Sequence, residues 1–338
     1  MTPSDPRPMR EIAPLDRASF DRDIRPAGQP VVIRGLASEW PGVAAARDGD
    51  EQVITYLKRF VTPQPVTAVV GQPDISGRFF YTEDLRALNF ERGTSPLAPF
   101  LDRLLRDADH PAPLAMAVQS EPVAELLPGF EQANRTDVVP PGTVPRAWLG
   151  NRIRVGAHCD LMENVGIVVA GRRRFTLFPP DQVADLYPGP LELTPAGTPV
   201  SMVDLAAPDF DRYPRFTDAL ATAQFMELAP GDAIYIPYHW WHAVDSLGPV
   251  NLLVNYWWNE APPQGASPYE AMMHAMLAIR SLPADQRTVW RTMFDHYIFG
   301  SNNDPAAHLP DHAQGMLGKL DRPQRERLRA TLRQVLSQ

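Results

Sequence analysis

Two short segments hold the residue types with the clearest chemistry. Arg154-Val155-Gly156-Ala157-His158-Cys159-Asp160 places a histidine and a carboxylate two positions apart, and His239-Trp240-Trp241-His242 supplies two more histidines far along the chain. Side chains alternate along a strand, so His158 and Asp160 project together and Cys159 points the other way. An imidazole and a carboxylate on one face, joined by an imidazole from a distant strand, form a facial set with three open coordination positions. Non-haem Fe(II) oxygen chemistry uses that arrangement. A lone His-x-Asp arises by chance, and a strand histidine is more often structural than a ligand. The context singles this one out, because both segments lie in matching strand-and-turn settings.

The elements that must position these residues are mostly strands. Between Arg146 and Trp258, eight short runs read as strands: 146–149, 154–159, 165–169, 174–178, 225–228, 233–236, 243–245 and 250–257. Gly171, Pro179-Pro180, Pro230-Gly231, Pro237 and Gly248-Pro249 mark the breaks. Eight short strands without long intervening helices predict a double-sheet jelly roll. Upstream, 31–33, 66–70 and 115–119 are strand-like. Leu97, Phe100, Leu101, Leu104 and Leu105 bury one helical face, and a second helix covers 50–60. Phe20 and Ile24 anchor a short N-terminal helix.

Beyond Pro262-Pro263 the pattern turns helical. Tyr269, Met273, Met276 and Leu277 form one apolar stripe, and Val289, Trp290, Met293, Phe294 and Tyr297 another. Asp321 caps a last helix with Leu328, Leu332, Val335 and Leu336 on one face. The expected fold is mainly β with flanking helices. An N-terminal α/β segment (1–114) packs on a jelly-roll core (115–262), and a C-terminal helical region (263–338) offers a homodimer interface.

The 338 residues include 32 basic and 40 acidic side chains, a net charge of −8. No concentrated basic face is visible, which argues against nucleic acid and anionic membranes as partners. Cys159 is the only cysteine, so a reducing interior is the simplest home. Met1-Thr2-Pro3-Ser4-Asp5-Pro6 lacks the charged and apolar regions of a signal peptide, and no apolar run reaches spanning length. The expectation is a cytoplasmic protein.

The chain resembles the cupin-like JmjC group of Fe(II)- and 2-oxoglutarate-dependent oxygenases, and within it the asparaginyl hydroxylases. The likeness runs through His158-x-Asp160, Asn164, the stretch from Gly171 to Pro188, and Pro208–Pro214. It continues through Pro230–Pro237, Trp240-Trp241-His242 and Val254-Asn255-Tyr256-Trp257. The resemblance implies a double-stranded β-helix with iron held by His158, Asp160 and His242, so that His242 rather than His239 is the third ligand. It implies that 2-oxoglutarate chelates the iron and sets its distal carboxylate on Arg173, with O2 as the oxidant. Arg172 and Arg174 should face away from Arg173. Asn164 and Asn255 match polar positions near metal and cosubstrate, and Gln119 matches a site-lining glutamine.

Two departures stand out. Val155 replaces a hydroxyl donor three residues before the first ligand, and no tyrosine occurs near Ala117. The four tryptophans 240, 241, 257 and 258 read as barrel packing. The implied activity is hydroxylation of a C–H bond in a peptide or protein side chain, or in a small metabolite. The alternative is a metal-holding cupin module without turnover.

Overall fold

The computed structural model describes residues 7–260, 267–300 and 304–337. Met1–Pro6 and Pro262-Pro263, on which the expectations about a leader and a helical boundary rest, lie outside them. Two compact units divide the chain, Met1–Asn259 and Glu260–Gln338.

Among its described residues the first unit holds fifteen strands. In chain order they begin β1 (Arg7–Pro8), β2 (Arg10–Ile12), β3 (Val31–Ile33), β4 (Pro65–Gly71) and β5 (Arg78–Phe79). Then come β6 (Phe90–Pro96), β7 (Ala115–Pro122), β8 (Pro145–Gly150), β9 (Arg154–Cys159) and β10 (Glu163–Ala170). The last are β11 (Arg173–Phe178), β12 (Gln224–Leu228), β13 (Ala233–Ile236), β14 (Trp241–Ser246) and β15 (Asn251–Trp258).

The eight strands expected of the jelly roll are β8 to β15, and four of them lie in each of two sheets. A six-stranded sheet runs β1-β12-β11-β14-β9-β5. A nine-stranded sheet runs β2-β3-β13-β10-β15-β8-β7-β4-β6. The segment before residue 115 therefore supplies strands that widen both sheets. Strand β6 has no counterpart among the expected elements. Its sequence, Phe-Glu-Arg-Gly-Thr-Ser-Pro, lacks apolar alternation because it is an exposed edge strand.

Strand β10 shows how the layers arise. Val165, Ile167 and Val169 are fully buried against helices Pro41–Asp48, Asp50–Lys58 and Leu97–Arg106, through Val43, Ile54, Leu57 and Leu101. Each such side chain contributes about 1.5–3 kcal/mol of burial. Asn164 and Gly166, on the other face of the same strand, line a cavity between the sheets. Helices thus cover one side of the nine-stranded sheet, and the functional cavity opens on the other. Phe20 and Ile24 are buried in this helical layer.

The second unit contains helices Pro268–Ile279, Ala284–Phe294 and Arg322–Leu336. Asp321 caps the last one: its Oδ1 accepts from the Gln324 amide at 2.7 Å, and the Gln324 side chain accepts from the Asp321 amide at 2.8 Å. The apolar stripes stay largely exposed, with Leu277 at 75% and Val335 at 57%. No helix among the described residues is long and apolar enough to cross a membrane.

Candidate functional site

Strands β9 and β14 run antiparallel and set His242 directly opposite His158, with a register shift just beyond, between His242 and Val244. The two imidazole centroids lie 4.3 Å apart. His158 Nδ1 is 3.0 Å from the Gly156 carbonyl, and His242 Nδ1 is 3.0 Å from the Trp240 carbonyl. A carbonyl only accepts, so both Nδ1 atoms act as N–H donors, which leaves each Nε2 as the ring nitrogen available to a metal. Burial, and then the adjacent His158 ring, push His242 toward its neutral form.

Asp160 completes the set. Its Oδ2 is buried without a hydrogen-bond partner, 3.6 Å from His242 Nε2. One ligand atom from each of His158, Asp160 and His242 lies within 4.8 Å of the others. A buried carboxylate oxygen without a donor is costly unless something cationic meets it. The two nitrogens and one oxygen therefore fit a divalent transition metal such as Fe(II). His239 lies outside this set. It occupies a turn with φ of 64°, and its Nε2 rests 3.5 Å from Cys159 Sγ. Burial, followed by the Asp160 charge, pushes the Cys159 thiol up to about 12, and it packs with Phe178, Leu186 and Trp241. This cysteine is part of the core.

Arg173 enters the cavity from the neighbouring strand. Gly171 makes the turn before β11 with φ of +72°, and a Cβ there would lie 2.2 Å from Asn251 Oδ1, so glycine is required. Arg172 and Arg174 are exposed and both pair with Glu227, at 2.5 and 2.6 Å. Alternation turns Arg173 inward, where it is only 5% exposed. Its Nη2 donates to the Trp148 carbonyl at 2.8 Å, while its Nε is buried without a partner. Among the described residues no carboxylate pairs with it, and burial pushes it down to about 9. A guanidinium held this way fits an incoming carboxylate.

Between Arg173 and the triad lies an amide chain. Trp148 Nε1 donates to Asn255 Oδ1 at 2.8 Å, and Asn255 Nδ2 donates to Asn164 Oδ1 at 3.1 Å. The Asn164 amide nitrogen is left without a partner among the described residues. All seven residues singled out from the sequence (Gln119, His158, Asp160, Asn164, Arg173, His242 and Asn255) line one cavity of about 300 Å³. Val155, with Phe175 and Val244, forms its apolar wall on the six-stranded sheet. Among the lining residues only Thr67 and Ser120 bear hydroxyls.

Several site residues escaped the sequence reading. Trp148 holds both Asn255 and Arg173, and no motif marks it. Trp257, read as barrel packing, lines the cavity instead, and its Nε1 is buried without a partner. The other three tryptophans of that group are buried packing residues. Glu163 turns away from the cavity and takes Arg25 at 2.6 and 2.9 Å and the Tyr235 hydroxyl at 2.8 Å, which fixes β10 beside Asn164.

Residues 17–264 match the description "Cupin-like domain", and the chain belongs to that family. Its relatives narrow the class further. HSPB1-associated protein 1 of Rattus norvegicus is 36% identical over 115 residues, covering 32% of this chain and 23% of that protein. The tRNA wybutosine-synthesizing protein 5 of Danio rerio is 25% identical over 302 residues, 81% of this chain and 83% of its own. Jumonji C domain-containing protein 5 of Drosophila melanogaster is 27% identical over 259 residues, 73% and 60% of the two chains. The chain is a JmjC cupin with a fold of the Fe(II)/2-oxoglutarate oxygenase type and a His-Asp-His site. It matches under a quarter of the length of the rat relative.

Proposed function

We propose that this protein is an Fe(II)- and 2-oxoglutarate-dependent oxygenase that hydroxylates a C–H bond of a peptide or protein side chain, or of a small metabolite. One observation carries the reading: three convergent ligand atoms share a cavity with a buried guanidinium that, among the described residues, has no counter-anion. His158 Nε2, Asp160 and His242 Nε2 would hold the metal, and Arg173 the distal carboxylate of the keto acid. Bound together, iron and 2-oxoglutarate supply the activation of O2 that inserts one oxygen atom into the substrate and leaves succinate and CO2.

The chain's own residues position and exclude. The Gly156 and Trp240 carbonyls orient the imidazoles, as outer-shell partners of metal ligands do. Trp148 locks the Asn255–Asn164 pair and, through its carbonyl, the Arg173 side chain. Asn164 Nδ2 and Trp257 Nε1 present donors to an acceptor-rich ligand. Val155, Phe175, Val244 and Leu253 keep water from the Arg173 end, which strengthens its attraction for an anion. Fe(II)-dependent formation of succinate from 2-oxoglutarate by the purified chain tests the reading. The absence of both succinate formation and calorimetric binding of 2-oxoglutarate in the presence of Mn(II) would end it.

The exposed stripe residues Leu277, Val289, Trp290 and Val335 are the surface we propose for self-association into a homodimer, since closed pairing of identical faces is the commonest fate of such patches. Sedimentation as a monomer at micromolar concentration would remove that proposal.

A further inference from the structure

The cavity continues past the amide chain along the inner face of the nine-stranded sheet. Beyond Trp148 on β8 come Gln119 and Ser120 on β7, Thr67 and Val69 on β4, and finally Arg92 on the edge strand β6. Register places Arg92 directly across from Val69, which in turn lies across from Ala117, so these positions share the cavity face. Three charged side chains line the whole space: Asp160, Arg173 and Arg92. Asp160 is committed to the metal and Arg173 to the keto acid. Arg92 remains. It is exposed and, among the described residues, forms no hydrogen bond or ion pair.

Its side chain is nonetheless directed. The Arg92 guanidinium lies 5.9 Å from the Phe90 ring centroid, Phe90 packs on Phe79 at 5.0 Å, and Phe79 itself lines the cavity. The cation is thus laid over an aromatic step at the mouth. On the path inward, the Gln119 side chain makes no hydrogen bond among the described residues, and no carboxylate besides Asp160 is among the lining residues. In a chain of net charge −8, an unopposed cation there draws negatively charged ligands toward this opening.

We infer that Arg92 is a specificity-determining residue that receives an acidic side chain of an extended peptide substrate. This rests on the oxygenase reading above. The spacing sets the class. Three inter-strand steps separate β8 from β6, and at about 4.8 Å each the anion lies roughly 14 Å from the Trp148 column. At about 3.3 Å per residue, that distance corresponds to roughly four residues of extended chain. A small organic acid held at the metal does not span it. RNA also presents anions, but one guanidinium on an acidic protein is not the basic stripe that a phosphate backbone requires.

The test uses the full chain loaded with Mn(II) and 2-oxoglutarate, and reads fluorescence anisotropy of labelled hexaglutamate, hexaglutamine, hexalysine, a phosphoserine hexapeptide and hexauridylate. Hexaglutamate should bind about tenfold more tightly than hexaglutamine, and Arg92→Gln should erase that difference. Arg92→Lys should restore part of it, which a merely structural effect would not do. Phosphoserine binding as tight as hexaglutamate would keep the anion site and show that it accepts phosphate as well as carboxylate. Equal binding of hexaglutamate and hexaglutamine, a preference unchanged in Arg92→Gln, or tighter binding of hexauridylate would each overturn the inference. If the wild-type chain binds 2-oxoglutarate yet shows no acidic preference, only this inference falls. If it binds no 2-oxoglutarate, the oxygenase reading fails first.

Discussion

At the metal end of the cavity, each ring nitrogen not needed for coordination is already held by a backbone carbonyl, from Gly156 or Trp240. At the other end, a buried guanidinium has a single carbonyl partner, that of Trp148, and an unpaired Nε, in a cavity walled by Val155, Phe175 and Val244. The two ends suit ions of opposite charge, and they are built for them differently. The metal end is preorganised by hydrogen bonds within the protein, so it should bind with little rearrangement. The Arg173 end relies on uncompensated charge, because Val155, Phe175 and Val244 on its wall offer no hydroxyl to share an anion. Removing a residue at one end should therefore cost binding alone, whereas at the other it should trade binding against stability.

The largest expected effect is at the metal end. Asp160→Ala should weaken metal binding by more than about 100-fold and abolish succinate formation. Its Oδ2 makes no hydrogen bond in the protein, so the urea midpoint of the metal-free chain should not fall. A clear fall would mean that Asp160 has a structural role and that the two ends do not differ in this way.

Arg173→Met should act in two directions. Loss of a desolvated charge pair typically costs 2–5 kcal/mol of binding, so 2-oxoglutarate affinity should drop at least about 30-fold. The ligand-free protein should gain about 1–3 kcal/mol, because an unpaired buried cation is replaced by an apolar side chain of similar length. Calorimetry and denaturant titration of one preparation check both. A destabilised Arg173→Met chain would show that the guanidinium has partners that offset its burial.

Between the ends stands β10, and Glu163 tests its stiffness. The Arg25–Glu163 pair is only about one-sixth exposed, at 16% and 17%, and the Tyr235 hydroxyl also donates to it. Glu163→Ala should destabilise by about 3 kcal/mol, read as a lowered urea midpoint. Because Asn164 is additionally held by Asn255, 2-oxoglutarate affinity should fall by less than about tenfold.

Much of this geometry was legible in the chain and some of it was not, for identifiable reasons. Strands β8 to β15 could be found because they are short, mostly buried runs with Gly or Pro at several of the breaks, and both signals survive in the sequence. The outward turn of Arg172 and Arg174 followed from the alternation of side chains along a strand. The register that sets His242 opposite His158 could not be derived, since the long segment 179–223 intervenes and pairing depends on both sheets closing. It was reached only through family resemblance. Strand β6 and Arg92 were missed because an exposed edge carries no hydrophobic signal. Trp148 was missed because it acts through an indole N–H and a backbone carbonyl, and the carbonyl is common to every residue type. The Glu163–Arg25 pair joins residues 138 apart, a separation at which charge patterning says nothing.

The smallest expected effect is the most direct probe of the difference between the two ends. Val155→Thr restores a hydroxyl on the wall shared with Arg173, at nearly constant volume. If a carboxylate docks there, the new hydroxyl gains a charged acceptor, and one such bond contributes about 1 kcal/mol net. The affinity for 2-oxoglutarate should then rise about fivefold. In the ligand-free chain the same hydroxyl faces valine and phenylalanine side chains and should lower stability by about 1–2 kcal/mol. Excess 2-oxoglutarate should recover that loss, because a ligand that binds only the folded chain adds stability as the logarithm of its concentration over its Kd. Melting with and without the keto acid separates the outcomes. A penalty that 2-oxoglutarate relieves places an anion beside residue 155. A penalty that persists unchanged, with no gain in affinity, would mean that no carboxylate reaches this wall and would favour a metal-holding module over an oxygenase.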